Sequence, residues 1–184
     1  MKILAVVNDC TCSGRAEVEL MPDSSVIKDG KPFFIPPIAE KWSYSLGVAF
    51  LVTRMGKCIG QRFASRYIGS ITLCAMPRPA VVTDDMVSAG DMLHAFDGAA
   101  ILGQWLDIPT DGRIEVSFNG SRVEFDINPI EAIEPMVARM SQFGTLKTGD
   151  VMIPVSTVVG ADFPEDFIAS ATINNVECLK FKIK

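Results

Sequence analysis

The chain contains one histidine, His94, and its imidazole is the only side chain here whose ordinary pKa lies near neutral pH. Such a group can accept or give up a proton, so His94 is a candidate general acid or base. Ser156 could serve as a nucleophile with His94 as its base if the two side chains came within hydrogen-bond reach. However, no Gly-x-Ser-x-Gly turn surrounds Ser156. The alternative for His94 is a packing role beside Phe96 with a local hydrogen bond.

The cysteines and carboxylates give no ligand spacing for a metal. Five cysteines is an odd number in a chain of this length, which favours reduced thiols in a cytoplasm. Only Cys10 and Cys12 are close together, and a metal site would need two further Cys or His residues at ligand spacing. Cys74 lies in an apolar run, where a thiol is expected to be structural. These cysteines therefore indicate no metal site.

Several segments follow one another in an order typical of one enzyme family. They are residues 32–37 (PFFIPP), 45–52 (SLGVAFLV), 67–74 (YIGSITLC), 96–106 (FDGAAILGQWL) and 145–153 (TLKTGDVMI). The last three are similar to the motifs I-x-G-Y-T, F-D-x-x-x-P-L-G-P-W and T-L-x-P-G-D-V-I of the fumarylacetoacetate hydrolase family. The resemblance extends from about Lys31 to the C-terminus, and it implies the catalytic-domain fold of that family.

The resemblance also shows which residues stand at the family's functional positions. The two metal-binding glutamates of the family fall on Ser45 and Gly47, and its metal-binding aspartate falls on Met76. The lysine that polarises the substrate falls on His94, and a substrate-contacting threonine falls on Ser156. A serine hydroxyl binds a hard cation weakly, and glycine and methionine supply no oxygen at all. The resemblance therefore implies a degenerate metal site, and we predict no bound metal and no cofactor.

Aromatic and polar residues near these positions could line a pocket. Tyr44 precedes Ser45, Thr157 follows Ser156, and Trp105 lies in the 96–106 segment. Together with Ser45, Gly47 and Met76 they form the predicted binding pocket for a small organic acid. Partial burial or a dimer contact is the alternative for each aromatic ring.

Composition excludes some classes of partner. The net charge is −5 and the isoelectric point is near 4.9, so a nucleic-acid-binding face is not expected. No apolar run reaches 18 residues, so no membrane anchor is predicted, and we expect a cytoplasmic protein. The chain of 184 residues fits a single domain, with residues 1–30 as a lead-in and 31–184 as the family domain.

Short strands dominate the predicted elements. Residues 46–52 form a continuous apolar run, as in a strand buried on both faces. Residues 113–118 and 121–125 alternate polar and apolar around Asn119-Gly120, which predicts a hairpin with a two-residue turn. Alternation of lysines with apolar residues after Cys178 predicts a last strand with a lysine face.

Helices are predicted at three places. Asn128-Pro129 should cap and begin a helix closed near Gly144, with Pro135 inside it as a potential break. Weaker helices are predicted at 61–67 and 85–93. The expected fold is therefore α+β: a strongly curved mixed sheet or flattened barrel with a few short helices outside.

Two functions remain open from the sequence. The first is a protein of the family fold that has lost the metal and acts as a binding or partner protein, a pseudoenzyme. The second is a metal-independent hydrolase, decarboxylase or isomerase of a small keto or enol acid that uses His94 and Ser156. The family chemistry stabilises an enolate with a cation, which argues for the first. The resemblance also implies a homodimer.

Overall fold

Two sheets and one α-helix make up the described part of the computed structural model, which covers residues 1–7, 17–28, 30–82, 93–109, 112–125, 127–162 and 166–184. The strands are β1 (Lys2–Val7), β2 (Glu17–Pro22), β3 (Val26–Lys28), β4 (Ala39–Val52), β5 (Ile68–Val82), β6 (Ala100–Leu102), β7 (Val116–Phe118), β8 (Ser121–Val123), β9 (Val151–Ala161), β10 (Ile168–Ile173) and β11 (Val176–Lys182). The α-helix is α1 (Pro129–Phe143), and short 3₁₀ helices lie at Asp23–Ser25 and Gln61–Tyr67.

The larger sheet is curled and mixed, with seven strands in the order β2-β1-β9-β4-β5-β6-β3. β1 pairs in parallel with β9 and β3 with β6, whereas the other pairs are antiparallel. The centre is β4, hydrogen-bonded to β5 and β9 along most of its length. The predicted α+β fold with a curved mixed sheet is confirmed. Residues 1–30, expected as a lead-in, contribute β1, β2 and β3 to this sheet.

The smaller sheet is antiparallel, in the order β11-β10-β7-β8. Its β7–β8 hairpin turns at Asn119 and Gly120, whose φ angles are 49° and 79°. Positive φ at both central residues is the geometry of a type I′ turn, so the predicted hairpin is confirmed. The predicted last strand is also present as β11, with Lys180 exposed and Phe181 buried.

Helix α1 begins as predicted at its asparagine cap. Asn128 Oδ1 accepts hydrogen bonds from the backbone N–H groups of Ile130 and Glu131 at 3.0 and 3.4 Å. Pro135 lies on the exposed side of this helix and does not end it. Proline removes one backbone hydrogen-bond donor from the helix, but the apolar contacts of the opposite, buried face are kept. The predicted helix at 61–67 is present as a 3₁₀ helix. The one predicted at 85–93 lies almost entirely outside the described residues.

The larger sheet has a hydrophobic cluster on each face. Successive side chains of β4 point to opposite faces, so Leu46, Val48 and Phe50 join the main core with α1 and the smaller sheet. Ala49 and Leu51 lie with the second cluster. Both faces of 46–52 are therefore covered, as the continuous apolar run predicted. None of the described helices is long and apolar enough to span a membrane.

Candidate functional site

Strand register gathers the predicted metal-site positions at one place on the second face of the sheet. Ser45 is directly opposite Met76 of β5. Gly47 is opposite Cys74 on one side and opposite Ser156 of β9 on the other. Residues directly paired across strands project to the same face. Ser45, Gly47 and Met76 therefore lie together on this face with Ser156, although the four residues belong to three strands.

No room for a side chain exists at Gly47. A Cβ atom placed there would lie 2.5 Å from Ile153 Cγ2, 3.1 Å from Met76 Cε and 3.3 Å from the carbonyl oxygen of Val155. Carbon atoms in contact normally lie about 3.5–4.0 Å apart. Ile153 and Met76 are 0% and 3% exposed, so they occupy this volume as part of a closed apolar wall.

The apolar wall belongs to the second cluster, which consists of buried residues on six strands and the segment before β6. Its members are Ile3, Ala5, Met21, Ala49, Cys74, Met76, Ala99, Ala100, Leu102, Val151 and Ile153. Burial raises the pKa of the Cys74 thiol to about 12, although the nearby Arg78 charge and an Ile101 backbone hydrogen bond act in the other direction. Cys74 is therefore a neutral packing residue at physiological pH.

These residues do not fit the divalent metal that the resemblance implies. Ser45 offers one hydroxyl, whereas Gly47 and Met76 offer no oxygen, and hard cations require several oxygen ligands. Among the described residues, no group of three or more His, Cys, Asp or Glu side chains could hold a metal ion. The site therefore differs from a metal site in two ways: it has too few oxygen ligands, and Ile153 and Met76 fill the space beside Gly47.

Ser156 lies on the same face but is 8% exposed, and its Oγ donates a hydrogen bond to the backbone carbonyl of Val6 at 3.1 Å. The hydroxyl proton is thus directed to the neighbouring strand β1. This contact ties β9 to β1, next to their parallel pairing. It gives Ser156 a structural hydrogen bond in addition to its predicted chemical role.

His94 lies in a partly buried polar cluster that the sequence did not indicate. His94 Nδ1 is 3.3 Å from Glu19 Oε1, and Arg78 Nη2 is 2.6 Å from Glu19 Oε2. The Arg78 guanidinium also donates to the carbonyls of Pro77 and Ala99, at 2.8 and 3.1 Å. Glu19 is 13% exposed, so its carboxylate faces two nitrogen groups in a sheltered environment.

The position of Arg78 could have been predicted from the sequence. It follows Met76 by two residues in the same strand, and such residues lie on the same face of the sheet. The position of Glu19 could not have been predicted from the sequence, because Glu19 and Arg78 are far apart in the chain and come into contact only in the tertiary structure.

The predicted pocket residues are divided between the two faces. Trp105 is partly buried and packs against the second cluster. Tyr44 packs against the main core instead, with its ring centroid 5.8 Å from that of Phe118, and burial raises the pKa of its hydroxyl. Thr157 is opposite Leu46, a main-core residue. Ser45, Gly47 and Met76 thus lie together on the second face, and Trp105 contacts the cluster of that face, while Tyr44 and Thr157 are on the main-core side.

Comparison with known proteins agrees with the resemblance. The family profile described as "Fumarylacetoacetate (FAA) hydrolase C-terminal" matches residues 13–170. Among curated proteins, none matches the chain in sequence.

Solved structures share the fold. The 5-carboxymethyl-2-hydroxymuconate delta-isomerase from Mycobacterium smegmatis has a TM-score of 0.76 and 19% identity, over 99% of this chain and 78% of that chain. The 2-hydroxyhepta-2,4-diene-1,7-dioate isomerase from Mycobacterium marinum has a TM-score of 0.77 and 19% identity, over 99% of this chain and 73% of that chain. The fumarylpyruvate hydrolase from Pseudomonas aeruginosa, in complex with Mn²⁺ and pyruvate, has a TM-score of 0.77 and 15% identity, over 100% of this chain and 89% of that chain. Because the profile covers most of the sequence and the fold agrees, the chain belongs to the fumarylacetoacetate hydrolase family.

Proposed function

We propose that this protein keeps the fumarylacetoacetate hydrolase fold without the metal-dependent chemistry, and acts as a binding or partner protein. The observation that carries the proposal is the filled volume at Gly47, where Ile153 Cγ2 and Met76 Cε occupy the place of a side chain. An ion in this apolar wall would lose its hydration without gaining charged oxygens, which is strongly unfavourable.

The test is a calorimetric titration of the full chain with Mg²⁺ and Mn²⁺ to millimolar concentration. We expect no binding heat, and we expect EDTA to leave the melting temperature unchanged. The gain-of-function control combines Ser45→Glu, Gly47→Glu and Met76→Asp with Ile153→Ala, which removes the obstructing Cγ2. Micromolar metal affinity of the natural protein at Ser45 and Met76 would overturn the proposal.

A second candidate is a metal-independent hydrolase, decarboxylase or isomerase of a small keto or enol acid. The specific observation in its favour is the 3.3 Å contact between His94 Nδ1 and Glu19 Oε1. A carboxylate beside an imidazole can fix the orientation of the ring, as in catalytic histidine–carboxylate pairs. The similar structures include two named isomerases and a named hydrolase, which is compatible with this candidate.

The two candidates are separated by an assay in EDTA-containing buffer with fumarylpyruvate and with 2-hydroxyhepta-2,4-diene-1,7-dioate. If the second candidate holds, turnover persists in EDTA, and His94→Gln lowers kcat by about 10²–10⁴-fold, as for loss of a general acid or base. Glu19→Gln should then lower it less, because that residue acts through the histidine. Ser156→Ala reports whether the hydroxyl contributes beyond its bond to Val6. Absence of turnover with both substrates favours the binding protein.

A further inference from the structure

A strongly basic segment stands out in this acidic protein. Residues 41–83 contain six Lys and Arg residues and no Asp or Glu. The chain has 17 Lys and Arg against 22 Asp and Glu, so the remainder has 11 against 22, a net charge of −11. Positive charge is thus concentrated in one part of the chain, which includes the connection between β4 and β5.

Four of these cations line one groove of about 640 Å³ beyond the end of β4. They are Arg54, Lys57, Arg62 and Arg66, and all four side chains are exposed. Among the described residues, no carboxylate lies within ion-pair distance of any of the four. Four like charges around one groove repel one another, and a bound anion would remove that repulsion.

The groove is also apolar and preorganised. Exposed Met55 and Phe63 contribute apolar surface, at 69% and 37% exposure. Its backbone is held by hydrogen bonds from Cys58 N–H to the Ser141 carbonyl at 2.9 Å and between Gly56 and Leu146 at 2.9 and 3.0 Å. A preformed groove costs less ordering entropy when a ligand binds.

The chemistry of the groove fits acidic peptide better than nucleic acid. Arg62 and Arg66 place their guanidinium carbons 4.6 and 5.0 Å from the Phe63 ring centroid, so cations already engage the ring on which a base would stack. A guanidinium presents paired N–H donors that match a carboxylate. The net charge of −11 elsewhere would repel an extended polyanion or an anionic membrane, whereas a short segment contacts the groove alone.

We propose that the groove lined by Arg54, Lys57, Arg62 and Arg66 binds an acidic peptide segment of a partner protein, with an apolar side chain of that segment against Met55. This inference goes beyond the proposed function and does not depend on the loss of the metal. The groove is separated from Gly47 by roughly 16 Å of strand up to Val52, at about 3.3 Å per residue.

The test measures fluorescence anisotropy of a labelled nonapeptide, rich in glutamate with one central leucine, on the full chain at 50 and 300 mM salt. We expect saturable binding that weakens with salt, and none of the matching lysine peptide. Arg62→Gln with Arg66→Gln should weaken binding about tenfold, as expected for two surface charge contacts. Arg54→Gln with Lys57→Gln should do the same while keeping the contacts with Phe63.

The matched control is Lys28→Gln with Lys41→Gln, which removes two exposed charges outside the groove and should change the affinity less than twofold. Circular dichroism melting verifies that each variant is folded, and if one pair does not fold, the other pair decides. No binding of the acidic peptide, or equal weakening by the control, would overturn the proposal. Tighter binding of single-stranded DNA or of phosphatidylserine vesicles would also overturn it.

Discussion

Gly47 shows how one residue type can result from its neighbours in space. The resemblance implies a metal-binding glutamate at this position, whereas here Ile153 and Met76 occupy the space that a side chain would take. The glycine, the methionine and the isoleucine are mutually dependent, because each leaves the volume that another fills. A single change at any of the three is therefore expected to disturb packing rather than restore chemistry.

The first prediction concerns Gly47→Ala. The new Cβ would lie 2.5 Å from Ile153 Cγ2, which is attached at a branched Cβ and cannot move away alone. We expect the free energy of unfolding in urea to fall by about 1–3 kcal/mol, as for overpacked cores. In the Ile153→Ala background, the same change should cost less, which a double-mutant cycle measures.

The matched control for that prediction is Gly144→Ala. No heavy atom lies within 4 Å of its Cβ position, and its φ of −164° is extended backbone. Its effect on stability should be close to zero. Equal effects of the two alanines would contradict a packing origin.

Asp150 is a buried carboxylate that joins the start of the chain to β9. Its side chain is 3% exposed and accepts hydrogen bonds from Lys2 Nζ at 2.7 Å, Lys2 N–H at 3.0 Å and Lys147 N–H at 2.8 Å. Burial acts to raise the pKa of Asp150, but the hydrogen bonds and the charge of Lys2 outweigh it, so the pKa is lowered. The aspartate of the 145–153 motif is thus a structural residue in this chain.

The second prediction is a pH-dependent effect of Asp150→Asn. A lowered folded-state pKa gives stability that is present above the unfolded value of about 3.9 and is lost as the pH falls through the folded value. We expect the variant to be less stable by about 1–3 kcal/mol at pH 7, and the difference to narrow below about pH 4. Urea unfolding between pH 7 and pH 2 measures it.

Asp166→Asn provides the comparison, since that carboxylate is 76% exposed beside Lys182 and its pKa is lowered by this neighbour. Its effect should be much smaller than that of Asp150→Asn. A stability difference for Asp150→Asn that stays constant from pH 7 to pH 2 would show that ionisation is not its origin.

At the scale of elements, helix α1 covers the main core with one face and depends on a local cap at its start. Asn128 satisfies two backbone donors, and Ile133 and Val137 are fully buried beneath the helix. The cap and the apolar face are both local properties of the sequence. For this reason the start of α1 was predictable, although Pro135 had suggested a break.

The third prediction is that Asn128→Ala lowers the free energy of unfolding by about 1 kcal/mol, because the two N–H groups lose their acceptor. The melting temperature should fall by about 2–4 °C in a protein of this size. Differential scanning calorimetry measures both. Asn128→Asp retains an acceptor oxygen and should be nearly neutral, and an equal loss in both variants would argue against the cap as the cause.

At the scale of the whole molecule, the fourth prediction is a homodimer, which the family resemblance suggests. Several large apolar side chains are exposed in the single chain, including Leu20 at 60%, Phe143 at 74% and Val158 at 67%. Exposed apolar surface is typical of contact sites. Light scattering should give twice 20.0 kDa, and the melting temperature should rise with protein concentration. A 20.0 kDa species at micromolar concentration would contradict the dimer.

The sequence alone determined those features that depend on neighbouring residues. The Asn119-Gly120 turn follows from tolerance of positive φ, and the start of α1 follows from the Asn128 side chain. The apolar run at 46–52 indicated a strand covered on both faces, because alternating side chains leave neither face for water. The sequence also shows no carboxylate at Ser45, Gly47 or Met76, the positions at which the resemblance implies metal ligands.

Only the tertiary structure decided what fills the space beside Gly47 and which groups surround His94. Ile153 fills the space at Gly47 because β9 pairs with β4 in a particular register, and a shift of one residue would point its side chain to the other face. Glu19 reaches His94 and Arg78 because β2 lies at the edge of a curled sheet. Such contacts join residues that are far apart in the chain. They depend on strand order and register, and the local conformational preferences of the residues do not determine them.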